Sequence, residues 1–279
     1  MIFLVQLKKN SPVVAIAGCG WTGLPLGKKL SIDNYQVKGS VRHDEKITIL
    51  NNAGITPYLM NLPDEVNKRF FTENDFLVIS IPAGTKSGKG KLYLESIREI
   101  IKQLKLLSPG LSKVILLSSI GIYPHDEGQW TEDSGFELES DKQNIIRTAE
   151  KLIQENFENN LILRLGGLMG YDRYLAKYYL KKDILDIDPT PVNYVHRDDV
   201  IDVVIEGIQK DHRGIYNVVA PEHPPKYEVI QNSAHSKSVK LPPSGKKLTP
   251  ESRTISGKKL MNEWDFGFKY PDPNRFWSN

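Results

Sequence analysis

From Val13 onward, short runs of β-branched and aliphatic residues alternate with longer stretches in which apolar positions recur every three or four residues. The alternation predicts strands at Val13 to Gly18, Gln36 to Arg42, Thr56 to Asn61, Phe76 to Pro82, Lys113 to Ser119 and Leu161 to Leu165. Helices fill the gaps, most clearly at Leu24 to Ser31, Lys91 to Leu107 and Asp141 to Phe157. In the second of these, Ile97, Ile100, Ile101, Leu104 and Leu107 share one face, the side expected to pack on a sheet. Strand and helix taking turns in this way imply an α/β fold, a doubly wound and mostly parallel sheet with helices on both faces.

Leu165 marks a change. Beyond it the alternation weakens and proline becomes frequent, at 189, 191, 221, 224, 225, 242, 243 and 250. Residues 1–165 therefore read as one domain and residues 166–279 as a smaller C-terminal lobe, the two intertwined as one compact unit. The pentapeptide SGKKL occurs at Ser244 and again at Ser256, too little for a repeat architecture. Lys237 to Lys259 carries seven basic residues against Glu251 alone, read as a solvated face, with an anion-binding edge as the sharper alternative.

Charge narrows the partners. With 37 Lys and Arg against 34 Asp and Glu, the net charge of +3 provides no chain-wide field for nucleic acid or anionic lipid. The basic segment also lacks the aromatic interleaving of a nucleic-acid binder. Cys19 is the only cysteine, which excludes an intrachain disulfide framework and a CxxC motif and points to a reducing, cytoplasmic setting. The apolar start of MIFLVQLKKN is too short for a signal peptide, and no apolar run approaches the roughly 20 residues that span a bilayer. The histidines and carboxylates show no HExxH or similar spacing, so no metal site is expected.

The most informative stretch is VVAIAGCGWTGLPLGKKL. Its GxGxxG at Gly18, Gly20 and Gly23 follows a strand and opens a helix, the context in which this motif binds a dinucleotide on a Rossmann-like fold. Gly18 allows the tight turn, Gly20 lets the backbone approach a pyrophosphate, and Gly23 permits close packing of helix on strand. Trp21 and Thr22 within the turn, with Pro82 and Ala83 after the fourth strand, complete the expected cofactor contacts. Amides and dipole at the helix start would hold the phosphates. At the end of the second strand, Ser40 and Arg42 supply a hydroxyl and a guanidinium suited to a 2'-phosphate, so NADP(H) is favoured, with NAD(H) the alternative. Asp44 just beyond reads as a helix N-cap. GTKSGKGK, Gly84 to Lys91, lacks the spacing of a phosphate loop and reads as a polar lead into the next helix.

Several further segments resemble the short-chain dehydrogenase/reductase superfamily, in its extended and atypical branch of NAD-dependent epimerase/dehydratase-like proteins. KVILLSSIGIYP resembles that family's serine strand, and ILRLGGLMGYDR the strand and loop after the active-site helix. NYVHRDDV resembles a later substrate-lobe segment, GIYNVVAPEHP the strand that follows, and SGKKLMNEWDFGFKYPD the C-terminal segment. The resemblance spans nearly the whole chain. It implies that Ser119 hydrogen-bonds a substrate carbonyl or hydroxyl, and that a tyrosine and a lysine four apart should follow on the next helix, the ammonium lowering the phenol's pKa. That pair is absent, and aligning RTAEKL with the family's helix puts Lys142 at the tyrosine position and Ile146 at the lysine position. Tyr123, four residues after Ser119, and Lys142 are the candidate proton carriers, while Tyr178 and Lys182 match the spacing by chance. Arg173 in GYDR is expected to contact an anionic substrate, Asn193 and His196 to serve as structural hydrogen-bonding residues, and Asp198 or Asp199 to cap the helix VIDVVIEGI.

The glycine motif departs from the extended branch, with Ala17 where that branch has glycine. With Pro25 it equally resembles β-hydroxyacid dehydrogenases, which the proline-rich tail from Pro189 argues against. The resemblance implies an NAD(P)-linked oxidoreductase or epimerase acting on a small polar substrate, with a nucleotide sugar as the most specific reading. The missing pair keeps a second reading open, a catalytically silent NADP(H)-binding sensor.

Overall fold

The computed structural model describes residues 11–84, 88–250 and 252–277. The MIFLVQLKKN segment, residues 85–87 of the GTKSGKGK loop and Glu251 in the basic segment lie outside the described residues. Along the chain the strands are β1 (Val13–Ala17), β2 (Gln36–Val41), β3 (Ile55–Leu59), β4 (Phe76–Ile79), β5 (Lys113–Ser119), β6 (Gly128–Trp130) and β7 (Asn160–Leu165). They continue as β8 (Gly167–Met169), β9 (Leu185–Ile187), β10 (Tyr194–His196), β11 (Gly214–Val218), β12 (Ser244–Lys247) and β13 (Arg253–Ile255). Helices are α1 (Gly23–Ile32), α2 (Ile47–Asn52), α3 (Gly90–Leu107), α4 (Asp141–Asn156), α5 (Arg197–Gln209), α6 (Lys226–Ser236) and α7 (Lys258–Trp264).

Seven strands form one parallel sheet in the order β11-β7-β5-β4-β1-β2-β3. Central β1, VVAIA, is fully buried from Val14 to Ala17, as a parallel strand covered on both faces must be. Val13 pairs in register with Gln36 and Val14 with Phe76. The apolar face expected of α3 is buried, with Ile97, Ile100 and Leu104 completely covered. The sheet takes its edge strand β11 from beyond Leu165, where it pairs Gly214 with Leu161. Three short parallel pairs, β10 with β8, β12 with β9 and β13 with β6, lie outside the main sheet.

The chain divides into two compact units, Met1–Pro82 with Glu95–Val114, and Ala83–Leu94 with Ile115–Asn279. In the first, Phe70 and Phe71 are fully buried and pack edge to face, centroids 4.9 Å apart. The second holds an apolar cluster of Met169, Leu175, Val192, Val229 and Trp277, and another of Ile122, Tyr123, Ile146, Val219 and Ile255.

Candidate functional site

β1 ends where Gly18 turns the backbone to φ +100, a region that side-chain-bearing residues rarely adopt. Space gives a second reason for glycine, since a Cβ there would lie 3.0 Å from the Ser80 carbonyl oxygen. The Gly18 amide donates to Ser40 Oγ at 2.9 Å, and the Cys19 amide to the Ser40 carbonyl at 2.9 Å. Ser40 thus clamps the turn from β2. At Gly23 a Cβ would fall 2.4 Å from the Gly18 carbonyl, so α1 packs on β1 at a distance only glycine allows. Gly20 differs, because a Cβ built on it meets nothing within 4 Å. Thr22, the N-cap of α1, makes no side-chain capping bond, and no acidic residue occupies the first turn. The start of this ten-residue helix, three residues after Gly20, thus carries neither a side-chain cap nor an acidic residue in its first turn, an arrangement that fits a pyrophosphate.

Two expectations for this region need correction. Ser40 is buried and its hydroxyl is engaged by the Gly18 amide, so it shapes the turn and is not presented to a 2'-phosphate. Arg42, directly after β2, is exposed. Asp44 is not a helix N-cap: its carboxylate accepts the Glu45 amide at 2.8 Å inside a 3-10 turn, Asp44–Lys46, that is preceded by His43. Trp21 is half-buried and Thr22 buried, while beyond β4 Pro82 is exposed and Ala83 half-buried. Cys19 is buried, and that burial pushes its thiol up to about 12, leaving it a packing group.

In the second unit, β5 delivers Ser119. Its Oγ accepts the Gly121 amide at 3.0 Å and so caps a single 3-10 turn, Ile120–Ile122. α4 starts with a capping box in which Ser140 and Gln143 satisfy each other's amides, fixing the first helical turn that carries Lys142. A methyl built on Gly121 would lie 2.6 Å from Lys142 Nζ and 3.2 Å from Ser119 Oγ. The structure thus brings hydroxyl and amine to the same point. Ile146, one turn further along α4, is buried in the apolar cluster.

Tyr123 is the other correction. Its ring is fully buried, its hydroxyl donates to Asn217 Oδ1 at 2.8 Å and accepts from Arg164 Nη1 at 2.9 Å. Burial pushes the phenol up, although the Arg164 cation pulls the other way. Both hydrogen-bonding capacities of the hydroxyl are used inside the protein, which removes Tyr123 as a proton carrier for a substrate. Behind it, Arg164 makes a two-pronged ion pair with Glu150, at 3.0 and 2.8 Å, and Glu150 also accepts from Ser118 Oγ at 2.6 Å. Arg253 Nη2 donates to the carbonyls of Ile120 and Tyr123, each at 3.3 Å, closing the turn from outside. Sequence reasoning missed Glu150, Arg164 and Arg253. An arginine in the middle of the buried run NLILRL was the available signal, since such a charge needs a partner.

Arg173 is half-buried, and its backbone pairs with that of Gly170, whose φ is +118. Its carbonyl also accepts Trp277 Nε1 at 3.2 Å. Asn193 has the structural role expected of it, donating to the Arg253 carbonyl at 3.1 Å and accepting the Ile255 amide at 2.7 Å. The cap of α5 is His196, whose Nδ1 accepts the Asp198 amide at 3.3 Å, and neither Asp198 nor Asp199 fills that place. Asp199 lies inside the helix and accepts the amides of Lys269 and Tyr270 at 2.7 and 3.2 Å. Tyr178 ends a 3-10 turn, Leu175–Tyr178, and does not share a helix face with Lys182.

No family model matches the chain. Protein YeeZ of Escherichia coli K12 is 31% identical over 276 residues, which span 93% of this chain and 97% of that protein. Among solved structures, the UDP-Glc/GlcNAc 4-epimerase of Campylobacter jejuni aligns with TM-score 0.79 at 15% identity, over 95% of this chain and 97% of the other. The UDP-glucuronic acid 4-epimerase of Bacillus cereus, in complex with NAD, aligns with TM-score 0.76 at 16% identity over 95% of both. With a glycine turn shaped as described and full-length likeness on both counts, the chain belongs to the family of protein YeeZ and has the fold of the epimerase/dehydratase-like short-chain dehydrogenase/reductases.

Proposed function

We propose that the protein binds a nicotinamide dinucleotide at the Gly18 to Gly23 turn, prefers NADP(H), and transfers hydride to or from a small polar substrate, with a nucleotide sugar as the most specific candidate. The observation that carries this reading is Gly20, around which a Cβ would meet nothing, just before a helix start with neither cap nor acid. UDP-sugar 4-epimerases of the same fold, one of them in complex with NAD, support it. With Ser40 engaged by Gly18, the preference for a 2'-phosphate rests on the exposed guanidinium of Arg42.

A bound nicotinamide dinucleotide supplies or takes up the hydride. The chain's own residues do the rest. The turn and the start of α1 hold the paired phosphates, Ser119 orients the reacting oxygen, and Lys142, beside it at Gly121, handles the proton. Arg173 contacts an anionic part of the substrate.

Arg42→Glu tests the cofactor assignment. Replacing a guanidinium with a carboxylate opposite a phosphate should raise the NADPH dissociation constant by at least about tenfold and leave that for NADH within about twofold. Equal effects on the two cofactors, or none, would remove Arg42 from the site.

A further inference from the structure

The basic stretch from Lys237 to Lys259 takes no part in the dinucleotide reading, and within the second unit the fold gives its middle a neighbour. β12 runs parallel to β9, pairing Ser244 with Leu185 and Lys247 with Ile187. The Lys246 amide donates to Asp186 Oδ1 at 3.2 Å, and a Cβ built on Gly245 would lie 2.5 Å from Ile184 Cγ2, so Ile184 rests against the backbone of β12. The pentapeptide SGKKL thus meets two fates. At Ser256 it leads into α7, where Lys259 Nζ donates to the Ile215 carbonyl at 3.2 Å. At Ser244 it forms a surface strand on which Lys246 and Lys247 are both exposed.

The chain leading into β9 extends the same face. The 3-10 turn Leu175–Tyr178 buries Leu175 and Ala176 in the apolar cluster and leaves Lys177 and Tyr178 outside. A second tight turn follows, closed by the Lys182 amide on the Tyr179 carbonyl at 3.0 Å, with Lys181 and Lys182 exposed. Tyr178 and Ile184, six residues apart, are each 59% exposed, whereas Leu185 directly after them is buried and anchors the segment. Residues 177–186 and 244–247 together carry five lysines against Asp183 and Asp186, a net +3 that equals the charge of the whole chain. Spread over 279 residues such a charge makes no field, but gathered in two adjoining segments it makes a local one. Asp188, at the exit of β9, adds nothing to oppose it, being paired with Lys226 at 2.6 Å.

The residue types narrow the occupant. Sites that read nucleic-acid phosphates favour the planar fork of arginine, and all five cations here are lysines, compact charges suited to a diffuse anionic surface. A phenol and a branched alkyl group standing outward among ammonium groups match the boundary between lipid headgroups and acyl chains. We infer that this face of the second unit docks on an anionic lipid bilayer, with Tyr178 and Ile184 entering the headgroup region and the five lysines facing the lipid charges. The attachment is peripheral and reversible, and it is independent of the dinucleotide reading.

The test sediments the full chain with vesicles of phosphatidylcholine alone or with phosphatidylserine at roughly a third of the lipid. Partitioning should be at least about tenfold stronger on the serine-containing vesicles at about 0.1 M salt, and fall to the phosphatidylcholine level at about 0.5 M. The double variants Lys181→Glu, Lys182→Glu and Lys246→Glu, Lys247→Glu should each lose at least about tenfold. Tyr178→Ser and Ile184→Ser should each lose about threefold or more and keep the salt dependence. Melting temperatures within about 3 °C of the wild type show that the variants are folded. Equal sedimentation on the two compositions would overturn the inference, as would charge reversals without effect. Tighter retention on polyuridylate than on these vesicles at equal phosphate concentration would give the face to nucleic acid and overturn it as well.

Discussion

Asp199 and His196, three residues apart at the start of α5, titrate in opposite senses. Burial pushes the Asp199 carboxyl up to about 6, against the two amides that favour its charged form. Burial likewise pushes His196 down to about 4, against the pull of Asp198. Folded Asp199 holds its proton more tightly than an unfolded aspartate at 3.8, so its contribution is complete below that value and is lost as pH rises through about 6. Folded His196 holds its proton less tightly than an unfolded histidine at 6.5, so its contribution is present above that value and is lost as pH falls toward about 4. Each amounts to on the order of 3 kcal/mol, and the two offset one another across the same window. In denaturant titrations, the stability advantage of the wild type over Asp199→Asn should shrink as pH rises through that window. Its advantage over His196→Asn, a substitution that keeps a capping side chain, should grow. Slopes of the same sign in both variants would contradict the assignment. Residue-level reading of the sequence failed instructively at Tyr123. Tyr123 follows Ser119 by four residues, but those residues span a strand end and a single 3-10 turn, and its ring lies in the core.

At the level of elements, β5, α4 and β7 are joined by one buried ion pair, and the Ser119 turn hangs from it. Glu150 on α4 and Arg164 on β7 are both essentially inaccessible, and they hold Ser118 and Tyr123 at the two ends of the turn. Removing one partner leaves an uncompensated buried charge, whereas removing both does not. Urea denaturation should therefore show Arg164→Met losing about 3 to 5 kcal/mol, and the double variant Glu150→Gln, Arg164→Met recovering much of that loss. Simple additivity of the single effects would show that the two groups do not act as a pair. Periodicity disclosed α3 and its buried face because eighteen residues repeat the helical pattern five times over. It could not disclose β11, since GIYNV is short and carries Asn217, a polar residue whose buried amide is satisfied only by the tertiary contacts to Ser256 and Tyr123. That strand was visible only through the family-like segment GIYNVVAPEHP. The three-residue pairs such as β10 with β8 are likewise set by tertiary contacts, and too short for any pattern.

At the scale of the whole molecule, the parallel sheet was legible because strands covered on both faces must be nearly continuous runs of apolar residues. Val14 to Ala17 and Leu77 to Ile79 are such runs, and both are completely buried. The glycine turn was legible for a related reason, because steric exclusion restricts the residue type there more than any propensity does. Gly18 and Gly23 meet backbone atoms that forbid a side chain, and their place in the sequence reports that constraint. The meeting of Ser119 and Lys142 at Gly121 was legible only in part, since alignment could put Lys142 on α4 but not beside Ser119. Gly20 separates fold from function: a side chain there has room in the protein and, on the proposed reading, would collide with the dinucleotide. Titration of NADPH into the wild type and Gly20→Val, with thermal unfolding of both, is accordingly the most direct test. The account predicts melting temperatures within about 3 °C of each other and a dissociation constant raised at least about a hundredfold in the variant. A wild type that does not bind, or a variant that binds as tightly, would contradict it.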